Sequence, residues 1–267
     1  MDLCEVFWEL PRGLSYNAYF INDDKCALVD TIKADKLSSY MERLVSIMKP
    51  GHTIDYLIVN HMEPDHSGSI NIMRRFYPEM KIVGNKKTLE MIKAFYGISD
   101  NMVEVKEGDV IDLGHHKLTF AMIPMVHWPE SMVTYDTTEK VLFSTDAFGG
   151  FCALEGGIFD DELDMDLYED ETLRYFANIV GRYSAPALKA IAKVRTVDVK
   201  IICPAHGPIH RTNPKRIVDL YEKWSSQTTD EGIVVVYGSM YGNTKFMTDT
   251  IARAANEAGV KNVIIHD

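Results

Sequence analysis

The sequence predicts a layered α/β fold, followed after a polar break by a second, shorter α/β segment. Three observations carry this reading. Short apolar runs alternate with helical patterns along the chain. Polar residues with metal-ligand chemistry stand just after several of those runs, at strand ends where α/β and layered folds place their sites. Ser225-Ser226-Gln227-Thr228-Thr229-Asp230-Glu231-Gly232 is small and polar, and reads as a linker.

The elements follow in chain order. Tyr16–Ile21 and Cys26–Val29 form a predicted hairpin across Asn22-Asp23-Asp24-Lys25. Leu37, Met41, Leu44 and Met48 share one helix face, and that helix ends before Pro50-Gly51. Tyr56–Val59 is a buried strand candidate, and Ser69–Phe76 a helix stopped by Pro78. Lys81–Val83 and Lys86–Tyr96 repeat strand then helix. Val110–Leu113, Lys117–Ile123, Met132–Tyr135 and Val141–Phe143 read as strands. One long helical stretch covers about Tyr168–Val194. Lys200–Cys203 is a further strand, and Pro214–Ser226 a helix with proline in its first turn. Past the linker come a strand at Ile233–Tyr237, a glycine-containing turn, a helix at Thr244–Ala258 and a strand beginning at Val263–Ile265.

Composition narrows the function. The chain has 267 residues and a net charge of −11, with 46% hydrophobic and 25% charged residues. These values fit a soluble globular protein of between one and two domains. The acidic excess argues against nucleic acid, which needs clustered Lys and Arg. No apolar run has the length of a membrane helix, and Met1-Asp2-Leu3-Cys4-Glu5 lacks the character of a signal peptide. Cys4, Cys26, Cys152 and Cys203 are scattered, which predicts reduced, mostly buried thiols in a cytoplasmic protein. Phe159–Glu171 carries eight acids in thirteen residues. It reads as a solvated loop and an acidic helix start, with docking of a basic partner as the alternative.

His61-Met62-Glu63-Pro64-Asp65-His66 packs four potential ligands into six residues after the Tyr56–Val59 strand. In an extended segment alternate positions point the same way, so His61, Glu63 and Asp65 are expected to converge, with His66 at the start of the next helix. His127, Asp146 and His206 each follow a strand candidate. Four histidines and three carboxylates make seven ligand groups. If one carboxylate bridges, each of two metals receives four protein bonds. That number leaves open positions on a six-coordinate metal, and mixed imidazole and carboxylate ligation suits iron, with zinc and manganese left open.

These residues resemble the metallo-β-lactamase fold, an αββα sandwich. Its usual motif is His-x-His-x-Asp-His, with a later His, a bridging Asp and a final His. Glu63 stands where the hydrolases carry their second His. That departure resembles flavodiiron proteins (A-type flavoproteins), as do Asn60–Gly68, His127–Met132, Ser144–Gly149 and Cys203–Pro208. The resemblance spans the chain. It implies one iron on His61, Glu63, His127 and Asp146. It implies a second on Asp65, His66, Asp146 and His206, with Asp146 bridging. In some members of the family the residue matching His66 is not a close ligand.

The resemblance also implies an oxidoreductase that reduces O2 to water or NO to N2O, with electrons arriving through FMN. Rubredoxin or a related reductase is the implied donor, and a head-to-tail homodimer the implied assembly. Residues 1–227 are then the di-iron domain. Residues 232–267 are the start of a flavodoxin-like domain, in which Ser239, Met240, Tyr241, Gly242, Asn243 and Thr244 form the FMN phosphate loop. A flavodoxin-like sheet has five strands. The tail holds a strand, a helix and the start of a second strand, so the expectation is a truncated chain that keeps the di-iron site and binds FMN weakly or not at all. Two other functions compete: a zinc metallo-hydrolase of the same fold, and an iron-bound sensor of O2 or NO.

Overall fold

The computed structural model describes residues 3, 4 and 8–267. They divide into two compact units, Met1–Ser226 and Gln227–Asp267.

In the first unit, β1 (Leu3–Cys4) and β2 (Trp8–Glu9) pair antiparallel. One five-stranded sheet contains β3 (Tyr19–Ile21), β4 (Ala27–Val29), β5 (Tyr56–Ile58), β6 (Lys81–Gly84) and β7 (Met102–Glu104), in that spatial order. The β3–β4 hairpin is antiparallel and the remaining pairs are parallel. β7 has no counterpart in the sequence reading, because three residues are too few to show a period. The second five-stranded sheet contains β8 (Val110–Asp112), β9 (Lys117–Met122), β10 (Met132–Asp136), β11 (Val141–Thr145) and β12 (Ile201–Pro204). Its pairs are antiparallel except β11–β12, which are parallel.

Strand side chains alternate between faces, and that alternation builds four layers. Ala27, Val29, Ile58 and Val83 of the first sheet pack on Leu118, Phe120, Met132 and Phe143 of the second. Leu28, Leu57 and Ile82 face the other way, onto α1 (Leu37–Ile47), α3 (Ile70–Phe76) and α4 (Lys86–Tyr96). On the far side, Val133, Leu142 and Ile202 meet Tyr175, Ala187, Ile191 and Tyr221 from the later helices. The order is therefore helix, sheet, sheet, helix, the αββα sandwich of the metallo-β-lactamase fold.

The stretch expected as one helix over Tyr168–Val194 is instead interrupted. α5 (Met165–Tyr175) runs into a π turn at Phe176–Val180 and a 3-10 turn at Gly181–Tyr183, before α6 (Ser184–Val194). A side chain at Gly181 would put its Cβ 3.2 Å from the carbonyl oxygen of Phe176, so glycine permits this wide turn. α7 (Pro214–Ser225) begins at proline.

The acidic segment is not simply solvated. Asp160 accepts the backbone N–H groups of Arg211 and Thr212, and Arg211 pairs with Asp161 and Glu162. Glu169 pairs with Arg216 and Glu171 with Arg174. Cys26, Cys152 and Cys203 are free and buried, and burial pushes the Cys203 thiol up to about 12. The side chain of Cys4 lies outside the described residues. Among the described residues no helix is long and apolar enough to cross a membrane.

The second unit pairs β13 (Ile233–Val236) with β14 (Val263–His266) in parallel, joined through α8 (Asn243–Glu257). Val234, Val236, Phe246, Met247 and Ile251 are exposed.

Candidate metal centre

The loop after β5 places the first ligand candidates. Asn60 anchors it, its N–H donating to Asp30 Oδ1 at 2.7 Å and its side-chain oxygen accepting from Thr134 Oγ1 at 2.8 Å. His61 and Glu63 follow outside any helix or strand, Glu63 with φ −58° and ψ 144°. Pro64 then starts the short helix α2 (Pro64–Ser67), so Asp65 and His66 turn away. The expected alternation of His61, Glu63 and Asp65 is therefore corrected. Helical backbone from Pro64 replaces the period of two and sends the ligands of the six-residue motif to two places.

His61, Glu63, His127 and Asp146 bring their ligand atoms together in one set; Asp65, His66 and His206 form another. Glu63 Oε2 lies 3.2 Å from His61 Nε2 and 2.9 Å from His127 Nε2. In the second set, His206 Nε2 lies 3.2 Å from Asp65 Oδ2, and His66 Nε2 lies 3.6 Å from Asp65 Oδ1. Asp146 stands between them. Its Oδ2 is 3.2 Å from His61 and from His127, while its Oδ1 is 3.1 Å from His66 and 3.4 Å from His206. Asp146 and His206 come together because β11 and β12 run parallel, delivering both residues at the same sheet edge.

The donor set fits metal ions. Asp65 Oδ1, His66 Nε2 and both Asp146 oxygens are buried and make no hydrogen bond. Buried polar atoms left unpaired in this way are costly unless a cation completes them. Carboxylates and imidazoles together suit a first-row transition metal.

The electrostatics of the metal-free cluster follow from burial and close opposite charges. Burial opposes the charged form of Asp146, but His66 and His61 outweigh it and hold the carboxyl well below the usual range. Burial likewise disfavours the charged forms of His127 and His206, yet the close negative carboxylate of Asp146 raises them to about 10 and about 9. Burial, then the charge of Asp146, hold the Tyr175 phenol well above its ordinary value, so it stays neutral. Its ring stands 5.8 Å from that of His206, and Trp128 sits edge-on 5.2 Å from His61. The His127 side chain, 14% exposed, is the most open of the four histidines.

Two residues near the centre escaped the sequence reading. Glu130 accepts from His61 Nδ1, and Asp30 Oδ2 lies 3.6 Å from His66 Nδ1. Neither belongs to a ligand motif. Glu130 lies within the His127–Met132 stretch, which is its one signal in the sequence.

In the second unit, Ser239–Gly242 lie in the link between β13 and α8, and Asn243 and Thr244 open the helix. Gly242 caps the helix in left-handed backbone at φ +83°, with no side chain capping the first N–H groups. Met240 and Tyr241 are exposed.

A two-sheet sandwich with two metal-ligand sets at one edge defines a metallo-β-lactamase-like metal protein. The family model described as ODP family beta lactamase matches residues 14–207, and the chain belongs to that family. Among curated proteins it is 36% identical to the anaerobic nitric oxide reductase flavorubredoxin of Salmonella arizonae, over 92% of this chain and 52% of that protein. Among solved structures it matches the rubredoxin oxygen:oxidoreductase of the anaerobe Desulfovibrio gigas, with TM-score 0.92 and 31% identity, over 98% of this chain and 66% of the other. It matches the flavodiiron protein of Giardia intestinalis with TM-score 0.92 and 30% identity, over 100% of this chain and 65% of the other. These homologues and structural neighbours are flavodiiron proteins. The chain spans between about half and two thirds of their length.

Proposed function

We propose that this chain carries the non-haem di-iron centre of a flavodiiron oxidoreductase that reduces O2 to water, NO to N2O, or both. The observation that carries the reading is the ligand set, with Glu63 in place of a second histidine and Asp146 reaching both halves. His61, Glu63, His127 and Asp146 would hold one iron, and Asp65, His66, Asp146 and His206 the other. The names of the relatives, a nitric oxide reductase and an oxygen oxidoreductase, support both gases as substrates.

When bound, the irons would supply the redox chemistry toward a diatomic gas. The protein's part is to fix the ligands and shape the surroundings. Glu63, Asp65 and Asp146 give the centre negative charge that offsets the cations. Trp128 and Tyr175 wall the site with aromatic surface, and the side at His127 is the least covered.

FMN would pass the electrons, its phosphate held at Ser239, Met240, Tyr241, Gly242, Asn243 and Thr244. The uncapped N-terminus of α8 supports that loop as a phosphate cradle. Residues 1–227 would form the metal domain and 232–267 flavodoxin-like sequence. Rubredoxin or a related reductase as donor, a head-to-tail homodimer and a cytoplasmic location complete the proposal.

The test is to load the chain with iron, reduce it chemically under anaerobic conditions, then add O2 or NO and follow the consumption of each in parallel. Consumption of either gas well above an iron-free control is expected. Preferential uptake of zinc, with thioester hydrolysis and no gas consumption, would move the reading to the zinc metallo-hydrolase.

A further inference from the structure

Glu130 is not a ligand candidate, yet at 1% exposure it is as buried as Asp146. It belongs to the loop between β9 and β10 and is tied at both ends. Its backbone carbonyl accepts from Asn85 Nδ2 at 2.5 Å, at the start of α4. Its Oε1 accepts from the Met62 N–H at 2.9 Å and from His61 Nδ1 at 2.8 Å. Oε2 has no hydrogen-bond partner among the described residues. The polar contacts of the carboxylate thus concentrate on His61 and its neighbour.

The ring of His61 has two ends with different tasks. Nε2 points at Glu63 and Asp146, each 3.2 Å away. If Nε2 takes a metal, its lone pair is used there, and Nδ1 must carry the hydrogen. Glu130 accepts that hydrogen. A carboxylate in this position fixes the tautomer and ring orientation and makes the imidazole a stronger donor.

His66 and His206 are held differently at Nδ1. His206 Nδ1 donates to the neutral carbonyl of Ser15 at 2.7 Å, and the His66–Asp30 approach is 3.6 Å. The short carboxylate bond belongs to His61 alone among these three.

We propose that Glu130 is a positioning residue for the metal position formed by His61, Glu63, His127 and Asp146, holding His61 as the Nδ1–H tautomer and lending its imidazole negative charge. This rests on the two-metal reading above. It assigns Glu130 to one of the two positions and leaves the other independent of it.

Zn(II), which is diamagnetic, serves as the probe in the full chain. Chelator competition measures each equivalent, and nitrogen-15 NMR reads the imidazole N–H groups. Wild type should bind two equivalents and show a strongly downfield His61 Nδ1–H. Glu130→Ala should weaken one equivalent about 10- to 100-fold and leave the other unchanged. Glu130→Gln keeps an acceptor oxygen but removes the charge. It should recover part of the affinity and keep the Nδ1–H signal at a less downfield shift.

Circular dichroism checks folding. Should Glu130→Ala not fold, the Gln variant decides the matter through its affinity and shift. A residue that merely supports the fold would change the melting temperature without moving that resonance. Wild-type affinity for both equivalents in the Ala variant, or an unchanged affinity and shift in the Gln variant, overturns the assignment of Glu130 alone. A wild-type chain that binds no metal overturns the two-metal reading together with it.

Discussion

Asp146 Oδ1 and His66 Nε2 approach to 3.1 Å without completing a hydrogen bond. Two groups with lone pairs turned to the same space are arranged for a cation between them. The other oxygen of Asp146 faces His61 and His127. Removing this residue should therefore damage both metal positions, whereas removing His206 should damage one. Metal analysis after gel filtration of iron-loaded protein checks this. We expect Asp146→Ala to retain neither metal fully and His206→Ala to lose about half of the total, because ligand loss opens one position directly. Full retention of both metals by Asp146→Ala would contradict a bridging role.

Metal uptake should release protons. In the metal-free chain His127 and His206 are raised to about 10 and about 9, so both are charged at neutral pH. Their folded values exceed the unfolded value of about 6.5. Their stabilisation is fully present below that value and is lost as pH rises through 9 and 10. A metal requires neutral imidazoles, so affinity should climb with pH by about tenfold per unit for each proton displaced, and level off as pH passes about 9 and about 10. Chelator competition at two pH values measures the slope, and a flat response would speak against these assignments.

His210 behaves in the opposite sense. Burial pushes it down to about 4, so the folded chain keeps it neutral. The unfolded chain binds a proton below about 6.5, and stability should fall as pH drops from there toward 4. Between pH 7.5 and 5 the loss from this residue is about 2 kcal/mol. Urea unfolding of metal-free wild type and His210→Gln at both pH values isolates the contribution. The variant should lose less stability on acidification, and an equal loss in both proteins would discount His210.

Gly207 follows His206 at φ +79°, where a Cβ would stand 3.1 Å from Gly150 N and 3.2 Å from Gly150 O. Gly150 N–H donates to the His206 carbonyl in the same place. Gly207→Ala should cost about 1–2 kcal/mol from left-handed backbone, with added crowding. Denaturant midpoints measure the cost. Unchanged stability, with full metal retention at His206, would show that the neighbouring loop yields freely.

Much of the fold was legible because core strands such as Leu142–Phe143 and Ile201–Cys203 are continuous apolar runs, and because ligands stand at their ends. The less legible parts have physical reasons. Asp65 was read on an extended chain, but Pro64 pre-sets helical φ and redirects it. The break at Phe176–Val180 hid within an uninterrupted helical pattern, since only Gly181 marks it. Glu130 acts across 69 residues of sequence from His61, and a single acid in a loop announces no partner. Arg211 and Arg216 neutralise acids about fifty positions earlier, which local charge counting reads as solvated.

The ligands come from both sheets. His61 follows a strand of the first, and Asp146 and His206 follow adjacent strands of the second. A chain in which only the earlier sheet has formed would hold His61, Glu63, Asp65 and His66 but none of their distant counterparts. Tight metal capture therefore requires both sheets to have formed and docked on one another. Retained metal would then report, in a refolding tube, the fraction of molecules whose two halves have docked in register.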